Sequence, residues 1–330
     1  MTVDVHTHII PRDWEDWGRR HGGNRWPRLV HEAPGCATLY QGGAFFRTLT
    51  DAAFDPGRRL ADMDRLGIDR QLLSPPPVMF CYWADARATA EFARMQNDAI
   101  AEVVGRSPDR FFGAGTLPMQ DPDLAVKEME RCSVALGFRC VEIGSNVEGR
   151  DLDAPAFSPV FEAAAGLDVA FFVHPGMTLL GRERLQKHYF PLIVGNPLET
   201  AVAIASLVYG GVLERWPGLR FCFAHGGGAF PFILGRIDHG WRVRPEGPAA
   251  IPRPPNEYAR LLYFDSLTHS PSALGFLVST FGPERVLLGS DYPFDMGSED
   301  PLADLGQANL PEATRRRVEG GNAVAFLGIR

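Results

Sequence analysis

The chain is 330 residues long, with 45% hydrophobic and 22% charged residues and a formal net charge of -7. That length admits two average domains or one large α/β barrel. The acidic balance argues against a general nucleic-acid or anionic-membrane binder. No apolar run approaches the roughly 18 residues needed to cross a bilayer, and the N-terminus lacks the basic and apolar regions of a signal peptide. Five cysteines (Cys36, Cys81, Cys132, Cys140 and Cys222) are odd in number and form no C-x-x-C pair, a usage that fits a reducing cytoplasm.

The first predicted strand covers 3–6 and leads directly into His6-Thr7-His8. Residues two apart in a strand project to the same side, so His6 and His8 can share one metal ion. An isolated H-x-H has an equally ordinary reading as a solvated strand end, and the rest of the chain has to decide between them.

Residues 11–57 break the pattern that follows. They hold Trp14, Trp17 and Trp26, several glycines, and a predicted hairpin of 37–40 with 44–49 around Gln41-Gly42-Gly43. Beyond them, short β-rich runs at 70–74, 111–116, 138–143, 169–174, 220–225, 261–265 and 285–290 alternate with segments of helical periodicity. The helices are expected at 58–66, 86–104, 124–136, 157–165, 198–213, 230–241 and 272–281. The strands are nearly continuous in apolar residues, as in a parallel sheet covered on both faces. Eight strands alternating with helices predict an α/β fold, a single (β/α)8 TIM barrel over 1–330. An open doubly wound sheet is the rival, weakened by the absence of a Gly-rich phosphate loop after the first strand. The insertion 11–57 then falls at the catalytic face as a lid, and the Pro-rich stretch 243–256 reads as an ordered surface excursion.

In such a barrel the catalytic groups collect at strand C-terminal ends. His6 and His8 end the first strand, His174 the fifth, His225 the sixth and Asp291 the eighth. A single polar residue closing an apolar strand only marks where the chain leaves the core; five on one rim, four of them imidazoles, form a constellation. Three imidazoles and a carboxylate leave a divalent ion room for a water, whose pKa zinc lowers toward about 7. A neighbouring histidine outside the ligand set suits the role of base near neutral pH. His225, followed by three glycines, is the candidate for it, although spacing alone does not separate ligand from base between His174 and His225. Arg47 in the hairpin and Arg236, eleven residues past His225, are able to grip a carboxylate by a bidentate fork, and surface arginines that do nothing of the kind are common.

Asp4-Val5-His6-Thr7-His8, Val173-His174-Pro175, Phe223-Ala224-His225-Gly226-Gly227-Gly228 and Gly289-Ser290-Asp291-Tyr292-Pro293-Phe294 resemble the metal-dependent amidohydrolase superfamily. Within it the chain is similar to the branch typified by 2-amino-3-carboxymuconate-6-semialdehyde decarboxylase. Phe54-Asp55-Pro56, Pro77-Val78-Met79-Phe80, Gly115-Thr116-Leu117-Pro118-Met119-Gln120 and Gly321-Asn322-Ala323 extend the likeness nearly end to end. The resemblance implies one zinc ion held by His6, His8, His174 and Asp291, with His225 activating the zinc-bound water. It implies that Arg47 and Arg236 hold substrate carboxylates, the latter from the neighbouring subunit of a homodimer, and it places Tyr189 and Phe294 in the substrate pocket. The implied reaction is a non-oxidative decarboxylation of a small unsaturated or aromatic acid, in which hydroxide adds to a double bond and the adduct loses CO2. The semialdehyde of the branch name is the first candidate substrate, and hydrolysis of an amide, lactone or C–C bond by the same centre is the alternative.

Three positions depart from the branch. Gly176 stands where it has tryptophan, Tyr189 aligns with a second pocket tryptophan, and Glu142 replaces a strand glutamine. Loss of two large rings reshapes the pocket, and steric fit is what separates related substrates. Glu142 reads as an added charge near the site, as a partner for an arginine, or as a ligand to a second metal.

Overall fold

The computed structural model describes residues 1–329. Its strands are β1 (Val3–His8), β2 (Arg28–Ala33), β3 (Cys36–Gln41), β4 (Ala44–Thr50), β5 (Arg70–Ser74), β6 (Phe111–Thr116) and β7 (Cys140–Gly144). They continue with β8 (Asn146–Val147), β9 (Arg150–Asp151), β10 (Ala170–His174), β11 (Phe221–Phe223), β12 (Tyr263–Asp265) and β13 (Val286–Leu287). Eight of them form one parallel sheet in the order β1-β5-β6-β7-β10-β11-β12-β13. The segment after β13 returns to β1: Leu288 accepts from Val5 N at 2.9 Å, Asp291 N donates to His6 at 2.8 Å, and Tyr292 accepts from His8 N at 2.8 Å. These bonds bring the last strand beside the first, giving the expected (β/α)8 barrel.

The helices start where their sequences supply a cap followed by proline. Asp55 accepts from Gly57 N ahead of Pro56–Leu66, Asp121 from Leu124 N ahead of Pro122–Glu130, and Ser270 from Ala273 N ahead of Pro271–Phe281. Each side chain satisfies a donor that the first helical turn leaves free, and proline at the first position has no N–H to lose. The inner faces of these helices and the outer faces of the strands share one apolar core that includes Leu73, Ile143, Phe171, Val173, Phe221, Phe223 and Phe264. Inside the barrel, Val5, Leu72, Ala114, Cys140, Phe172 and Cys222 pack with Phe326 and Leu327 of the C-terminal helix.

Several expected boundaries move. β11 and β13 are shorter than predicted because the chain bends away just before His225 and Asp291. The hairpin gains a third strand, so that β2, β3 and β4 form an antiparallel sheet. The stretch 243–256 contains the helix Glu246–Ala250 and leads into Pro255–Ala259. The helical run Pro191–Tyr209 has 19 residues and a mean hydropathy of 1.5, so by length and composition it is sufficient to cross a membrane, contrary to the sequence expectation. In the barrel it is a core helix: Ala201, Ile204, Leu207 and Val208 pack against the strands. Its buried Glu199 accepts from Asn146 Nδ2 at 2.7 Å and Leu180 N at 2.8 Å.

Candidate metal centre and active site

β1 and β10 end on one rim of the barrel, where His6, His8 and His174 meet Asp291 from the segment after β13. Their four ligand atoms lie within 4.8 Å of one another. The register of β1 against β5 shifts between Asp4 and Thr7, a local irregularity of the kind that re-aims side chains next to active sites.

Each imidazole is anchored through Nδ1. His6 Nδ1 pairs with Asp265 Oδ2 at 2.6 Å, His174 Nδ1 with the Pro175 carbonyl at 2.9 Å, and His8 Nδ1 with Ser74 Oγ at 3.4 Å. The opposite nitrogens, Nε2 of all three, are buried with no hydrogen-bond partner, as is Asp291 Oδ1. A buried polar atom without a partner costs about 1–3 kcal/mol. Four of them converging on one point suit a divalent transition metal, which takes imidazole nitrogen together with carboxylate oxygen, and outer partners that fix each ring are the usual accompaniment of such a site.

The electrostatics favour the ligating forms. Burial pushes His6 below the ordinary histidine value and His174 well below it. Burial works against a charge on Asp291, but the imidazoles of His6, His225 and His8 outweigh it and hold the carboxyl well below its usual range. Burial also opposes a proton on His8, yet Glu142 and Asp291 together raise its pKa. Glu142, fully buried on β7, is pushed up to about 7 by desolvation, with His8 opposing. Its Oε2 lies 3.8 Å from His8 Nδ1. Glu142 therefore faces a histidine and not an arginine, and both its oxygens are buried without a hydrogen-bond partner.

His225 stands beside the four, with Nε2 4.0 Å from Asp291 Oδ2 and its ring centroid 4.8 Å from that of His174. It opens a left-handed run: φ is 58° at His225 and 61°, 77° and 59° at Gly226, Gly227 and Gly228. A Cβ on the glycines would approach Thr268 to 2.8 Å, Phe264 to 2.7 Å and a Pro197 carbonyl to 2.3 Å. The three glycines therefore let the loop fold tightly against its neighbours and present His225 to the cleft.

The cleft above these residues has a volume of about 790 Å³, and its lining includes His8, His174, Gly176, His225, Asp291 and Phe294. Leu39 of β3 and Phe46 and Arg47 of β4 also reach it. Arg47 Nη2 donates to Tyr189 Oη at 3.2 Å, Nη1 lies 3.3 Å from Asp295, and the guanidinium sits 4.5 Å from the Phe294 ring centroid. Phe294 in turn tilts against His8. A Cβ at Gly176, which lines the cleft, would meet nothing within 4 Å. Arg236, on the helix Phe230–Val243, is exposed and does not line the cleft.

Two site residues escaped the sequence reading. Ser74 ends β5 and Asp265 ends β12, both polar residues closing apolar strands on the same rim. The rule that found His174 and Asp291 applies to them equally, but serine and aspartate at a strand end are too common to stand out.

The amidohydrolase family model matches residues 3–329. The chain is 41% identical to 2-amino-3-carboxymuconate-6-semialdehyde decarboxylase of Dictyostelium discoideum, covering 100% of this chain and 92% of that protein. It is 36% identical to the enzyme of the same name from Caenorhabditis elegans, over 99% and 94% of the two chains. A dihydroxybenzoic acid decarboxylase from Polaromonas, solved with manganese and the inhibitor 2-nitroresorcinol, superposes with a TM-score of 0.80 at 25% identity over 99% and 96% of the chains. The chain thus belongs to the amidohydrolase superfamily, in its branch of carboxy-lyases similar to 2-amino-3-carboxymuconate-6-semialdehyde decarboxylase.

Proposed function

We propose that this chain is a zinc-dependent, non-oxidative decarboxylase of a small unsaturated or aromatic acid, with 2-amino-3-carboxymuconate-6-semialdehyde as its first candidate substrate. The observation that carries the metal is the convergence of four partnerless buried ligand atoms from His6, His8, His174 and Asp291. A divalent ion held there supplies a Lewis acid and lowers the pKa of a coordinated water. His225 would take the proton from that water and deliver it to the carbon bearing the carboxylate as hydroxide adds to the far end of the double bond. Loss of CO2 from that adduct would then re-form the double bond and expel hydroxide, and the place of His225 beside Asp291 supports the role. Asp291 serves both as ligand and as the negative charge that stabilises the protonated His225.

Arg47 holds a substrate carboxylate, with Tyr189 and Phe294 fixing its guanidinium at the cleft wall. In moving onto the substrate it exchanges Asp295 for the incoming carboxylate. Arg236 serves the neighbouring active site in a homodimer; its exposure on the same helix as Phe232, which is 87% exposed, supports that reading. The insertion 11–57 acts as a lid and the enzyme works in the cytoplasm. Gly176 in place of the branch's tryptophan reshapes the cleft wall, so substrate choice within the class is tested at this position.

Zinc-loaded enzyme mixed with the semialdehyde is expected to consume its near-UV absorbance with one CO2 released per molecule. Absence of both with fully metallated protein removes this substrate. Cleavage of an amide, lactone or C–C bond without CO2 release would favour hydrolysis.

A further inference from the structure

Asp265 is fully buried at the end of β12, and its two oxygens accept four N–H groups. Oδ2 takes the His6 ring at 2.6 Å and the His225 backbone N–H at 2.9 Å. Oδ1 takes Gly226 N at 2.7 Å and Leu267 N at 3.1 Å. Consecutive N–H groups from a left-handed turn make a concave cradle for an anion, and here the anion belongs to the protein. One carboxylate therefore ties a ring of the metal set, from β1, to the loop that carries the base, after β11.

The barrel makes room for this tie. A Cβ at Gly289 would lie 2.8 Å from Asp265 Cβ and 2.9 Å from His6 Cβ, so any side chain at that point of the segment after β13 would drive the pair apart. The φ of 58° at His225 is uncommon for a residue other than glycine, and such a conformation persists where the surroundings over-determine it. The paired bonds from His225 N and Gly226 N to Asp265 supply that constraint.

The geometry points to Asp265 as a positioning residue that sets both the tautomer and orientation of His6 and the presentation of His225. The inference rests on the proposed roles of His6 as ligand and His225 as base. Asparagine at 265 keeps the shape but turns one acceptor into a donor, setting it against two of the four N–H groups.

Asp265→Asn is expected to weaken zinc binding about 10–100-fold, measured by competition with a chromophoric chelator. At saturating zinc it lowers kcat with KM little changed, and it lowers kcat no further in a His225→Asn background. An Asp265→Asn protein that melts like the wild type and keeps both zinc affinity and kcat overturns the inference. If that variant does not fold, nitrogen NMR of the histidine-labelled, zinc-free full chain decides: His6 protonated on Nδ1 supports the tie, and on Nε2 refutes it. His6→Ala and His225→Asn run in the same assays separate the two possible failures. If these leave zinc affinity and turnover intact, the assigned roles are wrong; if they respond while Asp265→Asn is silent, only the coupling through Asp265 is wrong.

Discussion

At the floor of the cleft His6, His8, His174 and Asp291 are at most 6% exposed, and each ring is tied through Nδ1 to a second polar group. At its wall Tyr189 is 46% exposed, and Arg47 is held by one hydrogen bond, one ion pair and one ring. The floor stands on parallel strands packed on both faces, whereas the wall comes from the insertion and the loop after β10. Burial makes the floor costly to alter, because each change leaves an uncompensated polar atom. Exposure makes the wall cheap to alter, because water replaces a lost partner. On the proposed function, the floor would set the reaction class and the wall the substrate choice, as in barrels generally, where loops vary over a fixed rim.

That contrast breaks first at His225. His225→Asn keeps a residue that tolerates φ near 60° and removes the base. It is expected to lower kcat by about 10²–10⁴-fold while zinc content stays near that of the wild type. Loss of the metal instead would make His225 a ligand and put the floor's boundary in the wrong place.

Arg47→Ala tests the wall. Removing a charge-assisted contact to a carboxylate costs about 1.5–3 kcal/mol, or roughly 10–150-fold in kcat/KM, with the melting temperature unmoved. An unchanged kcat/KM for a carboxylic acid would take Arg47 out of substrate binding.

Acidity separates the four ligands from one another. Burial keeps His6 and His174 neutral, their neighbours keep Asp291 ionised, and only His8 has a pKa raised above its ordinary value. A metal must displace the His8 proton below that pKa, so affinity falls as pH falls. The expected slope is about tenfold per pH unit, the signature of one proton. Chelator competition across a pH series measures it, and a much steeper slope would mean that several imidazoles are protonated.

Tyr189→Phe gives the smallest effect. Loss of one exposed hydrogen bond to Arg47 is expected to raise KM by about 2- to 10-fold. A change in kcat alone would place the hydroxyl nearer the reacting atoms than its exposure suggests.

The legible part of the molecule follows the same division. The eight strands were legible because their runs are rich in apolar residues, as in a sheet covered on both faces, and alternate with segments of helical periodicity. His6, His174 and Asp291 were readable as imidazole or carboxylate at the ends of such runs, and all came together. Asp265 was not, since what distinguishes it is four N–H donors from distant segments, invisible before the chain closes. β2 was missed because Arg28–Ala33 is mostly exposed and carries no alternation. Arg47 was recognised as an arginine able to hold a carboxylate, but its partners Asp295 and Tyr189 lie far along the sequence. The apolar run Pro191–Tyr209 shows the converse error: a membrane-grade composition arises in a helix whose inner side meets the strands and whose buried Glu199 is fully engaged.

The insertion packs on the barrel through a small core, in which the Trp17 and Trp26 rings sit against Phe92 and Trp14 and Trp83 pack at the edge. Those are four of the six tryptophans in the chain, and the Trp17 and Trp26 rings sit 5.6 Å apart. The intrinsic fluorescence of this protein is therefore dominated by the seam between insertion and barrel, and hardly at all by the metal rim. Any rearrangement of that seam would be followed optically, in real time and without a label, while the floor stays dark.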